Sequence, residues 1–243
     1  MSTQTTQAAR TAPRTGSPDV LRRVAGWAAA GYVAIFVLAI FGNFLALDPT
    51  IHPGEPGATA DALREAGTTF RLGIAAFLGI FLADVVVAWA LYELFAPVGR
   101  SLSLLAAWFR LTYTVVLGAA MGLLYVAVSL AERGTSAGDE GVLLALQAFD
   151  FTWVVGLAAF GAHLLLVARL LVAAAGPRWL AAVMTLAGAA YVVDTVAHIV
   201  LADYEAWAGG FLLMVALPSV VGELAFTIWL AMVARGRRSI AAG

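Results

Sequence analysis

Residues 71–95 read RLGIAAFLGIFLADVVVAWALYELF, residues 96–100 APVGR, and residues 104–131 LLAAWFRLTYTVVLGAAMGLLYVAVSLA. Each long run exceeds the ~20 apolar residues that carry an α-helix across ~30 Å of hydrocarbon. Between them, Pro97 cannot donate the next helical hydrogen bond, and Ser101 or Ser103 is placed to cap the helix that follows. A connection this short joins antiparallel neighbours. The chain therefore reads as all-α, a polytopic bundle of transmembrane helices assembled from hairpins.

Reading outward from that hairpin gives six spans, at about 24–47, 71–95, 104–131, 150–173, 179–201 and 211–234, in a transmembrane domain over 22–236. Composition agrees: 62% of the 243 residues are hydrophobic and 12% charged, with mean hydropathy +0.92, whereas soluble domains carry roughly 25% charged residues. That apolar excess needs lipid around it. Residues 1–21, rich in Thr, Ala, Ser and Pro without an apolar period, read as a disordered cytoplasmic tail, and residues 237–243 as a second cytoplasmic tail. The apolar run after Arg22 and Arg23 is longer than the ~7–15-residue core of a secretory signal, so it is read as a retained first span. The first loop is expected to be ordered in part, with helix from Thr59 onward. The apolar pattern from Val142 to Ala175 is too long for one perpendicular span. It leaves open whether 139–150 extends the fourth helix or forms a separate interfacial turn. Pro218 is expected to kink the sixth helix.

Ten arginines fall in the tails and loops on one side (Arg10, Arg14, Arg22, Arg23, Arg100, Arg169, Arg178, Arg235, Arg237, Arg238), against Arg64, Arg71 and Arg133 on the other. Positive charge stays inside, which puts both termini in the cytoplasm. Trp27, Trp179, Trp207 and Tyr204 lie near span ends, as in an aromatic belt. With no lysine and abundant Ala and Gly, the composition is that of a GC-rich bacterial genome, and the expected location is the bacterial inner membrane. A net charge of −1 gives no basis for nucleic-acid binding. The absence of cysteine excludes disulfides and thiolate ligands. The GIAAFLG of 73–79 is echoed by GLAAFGA at 156–162, but in a chain this rich in Ala, Gly and Leu chance accounts for the echo.

Burying a charge in hydrocarbon costs at least ~2.5–3.5 kcal/mol, so every ionisable residue inside a span needs a partner or a wet cavity. At ~1.5 Å per residue, Asp84 lies ~20 Å below the outer face, His163 and Glu223 ~18 Å, and Arg110 ~9 Å above the inner face. The long side chain of Arg110 reaches either carboxylate. In one reading Arg110 neutralises Asp84 or Glu223 and fixes helix packing. In the other the same groups line a polar cavity that binds a small polar or ionic ligand. On the fifth span Tyr191, Asp194 and His198 share one helical stripe. That stripe either satisfies itself through an Asp194–His198 contact or joins Arg71, Asn43 and Asp150 in an outward-open vestibule.

Asp194, His198 and His163 are legitimate zinc ligands, so a metal-dependent intramembrane hydrolase enters as a minor reading. The chain has only three histidines and no HExxH, GxSxG or phosphate-binding loop. No catalytic residue, metal site or cofactor is assigned. Gly118 and Gly122 form a GxxxG in the third span, which permits close helix approach or a homo-oligomer.

Several short markers recur in order: Phe70-Arg71-Leu72-Gly73, Ala83-Asp84, Leu94-Phe95-Ala96-Pro97-Val98, Phe109-Arg110, Phe160-Gly161-Ala162-His163, Tyr191 to Asp194, and Gly222-Glu223 through Trp229. With Pro53-Gly54 and Ala58-Thr59-Ala60, they resemble the bacterial membrane-protein family called domain of unknown function 4386, over about Arg22 to Arg235. The resemblance implies a six-spanning fold with no assigned activity. It also places Arg71, Asp84, Arg110, His163, Asp194 and Glu223 at motif positions, the residues that burial cost selects. The longer polar N-terminal tail departs from the family pattern.

Overall fold

A computed structural model describes residues 17–240, and among them there is no strand. Five helices follow one another: α1 (Pro18–Ala39), α2 (Pro56–Ala131), α3 (Ser136–Ala173), α4 (Arg178–Val200) and α5 (Tyr204–Ala234). All five carry stretches long and apolar enough to cross a membrane. The chain is thus a helical membrane bundle. Helix α1 starts at Pro18, a favoured first helical residue, so the last residues assigned to the tail are helical. The rest of that tail assignment, residues 1–16, lies outside the described residues.

A straight helix of 76 residues would run ~114 Å, yet α2 brings residues far apart in sequence into contact. Ser103 Oγ donates to the Tyr92 carbonyl at 2.9 Å, Arg110 pairs with Asp84, and Arg64 Nε donates to the Ala131 carbonyl at 2.7 Å. These pairs all centre on residues 97–98, so the helix doubles back there. Pro97 and the non-helical Gly99 (φ −171°, ψ 86°) mark the bend. Ser103 is thereby spent on stitching the two arms together, not on capping the second. A second break, at Gly67 (φ +31°), sits in a region that a Cβ disfavours. It separates the short stretch from Pro56, which starts slightly ahead of the expected Thr59, from the first arm proper.

Each helix runs antiparallel to its neighbour. Thr195 Oγ1 donates to the Val154 carbonyl at 2.9 Å, and Gly188 faces Gly161, in the same register of α4 on α3. Helices α1 and α5 also touch, with Gly26 beside Ala234 and the Tyr32 and Phe226 rings edge to face at 5.9 Å, which closes the bundle. The expected uncertainty at 139–150 resolves to a single continuous α3, whose Thr135 cap accepts from the Gly138 N–H. Helix α5 continues through Pro218, and Ser219 Oγ donates to the Val215 carbonyl.

One end of the bundle, here called proximal, gathers the start of α1, the bend of α2, the α3–α4 connection and the end of α5. The distal end gathers the end of α1, the α2–α3 connection and the α4–α5 connection. Between them the outer wall is apolar: Val37, Leu82, Val115, Leu186, Leu213, Leu217 and Ile228 are all exposed, as lipid-facing side chains are. Trp27, Trp179 and Trp207 are exposed near helix ends. The GxxxG of the third run divides in two. A Cβ on Gly118 would come within 2.9 Å of the Phe81 ring, whereas Gly122 faces open space. Gly122→Ala is therefore expected to be neutral or to gain up to about 0.5–1 kcal/mol of helix stability, while Gly118→Leu loosens the α2 hairpin. Thermal unfolding in detergent distinguishes the two signs.

Candidate functional site

The sequence nominates two polar constellations, and the fold separates them. The deeper one centres on Arg110, on the second arm of α2, which is 1% exposed, as is Asp84 on the first arm, while His163 on α3 is 0% exposed. Arg110 Nη2 donates to Asp84 Oδ1, and Nη1 donates to the Tyr32 hydroxyl on α1 at 2.8 Å. His163 Nδ1 lies 2.9 Å from the Ala106 carbonyl, which can only accept. Nδ1 therefore carries the proton, and in the neutral ring Nε2 is left as an acceptor, 3.4 Å from Arg110 Nη1. The Tyr32 and Phe160 rings stand 4.8 and 5.4 Å from the guanidinium carbon, within cation–π range. Within this cluster, Arg110 Nε is buried without an acceptor among the described residues.

Of the two carboxylates within the reach of Arg110, the geometry selects Asp84. Glu223 on α5 is half-buried and takes no part in an ion pair among the described residues. Tyr191 belongs to this region too, edge-on to Phe160 at 5.5 Å. The cluster ties α1, both arms of α2 and α3 together through polar bonds in an apolar interior. Sequence reading missed Tyr32, although a tyrosine at mid-span signals a hydroxyl that needs a partner.

The second constellation is open. At the distal end a cavity of about 790 Å³ is walled by residues 43–53, which follow α1, and by α3, α4 and α5, within the ~300–1,000 Å³ of small-molecule sites. Asn43, Asp48, Gln147, Asp150, His198 and Glu205 supply its polar groups, and Phe149, Phe151 and Trp153 its aromatic ones. Asn43 sits on a π-helical stretch, Ile40–Leu47, that continues α1, and its Nδ2 donates to the Ala39 carbonyl at 3.0 Å. Such widened turns are rare and recur at functional sites, because the extra residue per turn re-aims side chains. His198 Nδ1 is buried with no hydrogen-bond partner, and its ring packs on Tyr204 at 4.2 Å.

Of the residues expected in an outer vestibule, the structure brings Asn43, Asp150 and His198 to one cavity and leaves two elsewhere. Arg71 pairs with Glu132 near the α2–α3 connection. Asp194 accepts from the Tyr204 hydroxyl at 2.7 Å, so its partner lies on α5 and not at His198. The stripe of α4 is shared out, with Tyr191 going to the deep cluster, Asp194 to α5 and His198 to the cavity. Asp48 and Glu205 were missed because they lie in polar stretches outside the apolar runs, and Gln147 because it carries no charge, so that burial cost gives no signal. Among the described residues no three His, Asp or Glu side chains gather into a metal-holding group.

An aromatic path joins the two constellations. Trp153, at the cavity wall, donates through Nε1 to the Tyr113 hydroxyl at 3.3 Å. The Tyr113 ring lies 5.1 Å from Phe160, which faces Arg110.

Comparison with known proteins gives a relative in Archaeoglobus fulgidus, described as an uncharacterized protein. It is 29% identical over 169 residues, covering 68% of this chain and 86% of the relative. No solved structure matches. Residues 27–234, from α1 to the end of α5, match the model of the domain of unknown function DUF4386, and the chain belongs to that family.

Proposed function

We propose that the protein is a six-span inner-membrane protein with both termini in the cytoplasm, which binds a small polar or ionic ligand in the distal vestibule as a transporter, channel-like protein or sensor. The observation that carries this reading is the 790 Å³ cavity with its polar lining. The doubled-back α2 supports an even number of crossings, since each arm is long enough to span. Arginine placement supports the orientation. Arg22, Arg23, Arg100, Arg169, Arg178, Arg235, Arg237 and Arg238 lie toward the proximal end, and Arg64, Arg71 and Arg133 toward the distal end, the asymmetry that keeps the richer side cytoplasmic. A reporter fused after Gly243 is expected to be active only as a cytoplasmic fusion, and one inserted at Gly134 only as a periplasmic one. A periplasmic C-terminus would overturn the orientation.

For the vestibule, the test is a thermal-shift screen of the purified protein against small polar and ionic compounds, run in parallel on Gln147→Trp, which fills the cavity from its exposed rim. A compound that stabilises the wild type and not the variant is the expected result. Shifts that are equal in both would place binding elsewhere.

The competing reading, an accessory protein whose buried charges only pair helices, is favoured by the closed bonding around Arg110. The two readings now concern different residues. Arg110, Asp84 and His163 hold the bundle, while Asn43, Asp150, His198 and their neighbours line the site. Glu223→Gln is expected to leave the unfolding midpoint unchanged or slightly raised, because it removes a half-buried charge that no ion pair among the described residues engages. Asp84→Asn, measured in the same thermal assay, is expected to lower it.

A further inference from the structure

We infer that the ligand of the distal vestibule is an organic cation with an apolar body, held between carboxylates and aromatic rings. This rests on the reading of the cavity as a binding site and adds the chemical class of its occupant.

Three features of the cavity converge on that class. First, apart from His198 its ionisable groups are all acids: Asp48, Asp150 and Glu205 line it, and no arginine among the described residues does. None of the three is in an ion pair among the described residues. Of the three distal arginines, Arg64 pairs with Asp61 and Asp139 and Arg71 with Glu132, and Arg133 does not line the cavity. Like charges converging on one cleft focus the field and raise the local concentration of the opposite ion.

Second, the wall is aromatic where a hydrated inorganic ion would require oxygen. Phe149 and Trp153 are held rigidly, their rings 5.8 Å apart and both set against Phe77. The face of an aromatic ring attracts a cation and, unlike water, suits one with alkyl or aryl substituents. Calcium or magnesium wants six or more oxygens at short range, and the lining does not gather metal-ligand groups of that kind. The size of the cavity, about 790 Å³, also suits a molecule better than a bare ion.

Third, His198 lines the cavity, and its Nδ1, which has no hydrogen-bond partner among the described residues, is covered; a turn of the imidazole would present it to an amine or hydroxyl on the apolar body.

The experiment uses the full-length protein in lipid nanodiscs and two probes of equal size and opposite charge, tetraphenylphosphonium and tetraphenylborate. Tetraphenylphosphonium is expected to bind saturably, at least tenfold more weakly to the Asp150→Asn/Glu205→Gln double variant and to Gln147→Trp. Its affinity is also expected to fall as salt is raised. Tetraphenylborate is expected to show only the non-saturable uptake of empty nanodiscs. Both substitutions in the double variant are isosteric and exposed, and an unchanged unfolding midpoint confirms that the variant is folded. Saturable tetraphenylborate binding that Gln147→Trp abolishes would overturn the cation inference and keep the vestibule as a site. Absence of saturable binding by either probe would overturn the inference, and the reading beneath it falls separately if the wider screen against Gln147→Trp also yields nothing.

Discussion

Arg110→Met is expected to lower the unfolding free energy by about 3–5 kcal/mol, the scale on which removing one partner of a buried ion pair acts. The loss does not come from the attraction alone. Methionine leaves Asp84, 1% exposed, without its guanidinium, and leaves the Tyr32 hydroxyl and His163 Nε2 without their donor. It also removes the cation that the Tyr32 and Phe160 rings face. The decisive comparison is the double variant Asp84→Leu/Arg110→Met, which replaces both charges by apolar groups. Buried pairs replaced in this way are often neutral or more stable, so the double variant is expected to recover most of the loss, leaving a strongly non-additive cycle. Unfolding by denaturing detergent in mixed micelles measures the double variant and both single ones, Arg110→Met and Asp84→Leu. A single variant within about 1 kcal/mol of wild type, the range of solvent-exposed pairs, would mean that Arg110 is solvated and that a wet cavity reaches it.

The same residues show how far the sequence could be read. The hairpin at 96–100 was legible because two long apolar runs enclosed a proline, and that signal depends only on local chemistry. Arg110 and Asp84 were legible because a charge in an apolar run stands out against its cost. Their pairing was not, since the depth of Glu223 matched that of Asp84 and only the packing of α5 leaves it outside ion-pair distance. The vestibule was half legible. Asn43, Asp150 and His198 stand in or beside apolar runs, whereas Asp48 and Glu205 sit in polar stretches where a carboxylate is ordinary. Arg71 misled for the opposite reason: its position at a helix end fits a vestibule equally well, and its partner, Glu132, is 61 residues away on the returning arm. Nothing in the local pattern announced the π-helical turns at Ile40–Leu47, where Gly42 and Gly73 allow Phe77 and Ala46 to approach.

Gly161→Leu and Gly188→Leu are each expected to destabilise the protein by more than the ~1–3 kcal/mol of ordinary overpacking. A Cβ on Gly161 would lie 2.6 Å from the Gly188 carbonyl oxygen, and a Cβ on Gly188 would lie 2.6 Å from the Gly161 carbonyl oxygen. Neither clash can be relieved by turning a side chain, because each obstacle is backbone. The helices must separate, and since interhelical packing is what holds helices together in lipid, the α3–α4 contact is lost over several turns, including the Thr195 bond to the Val154 carbonyl. Even Gly161→Ala is expected to fall well below Gly122→Ala, the same substitution where nothing lies within 4 Å. The functional readout is sharper still. This crossing sets the register in which α4 delivers His198 to the vestibule, so Gly161→Ala, although far from the cavity lining, is expected to weaken tetraphenylphosphonium binding several-fold in protein that remains folded. Unchanged affinity in a destabilised variant would show that the vestibule does not depend on how α4 is seated, with His198 a bystander.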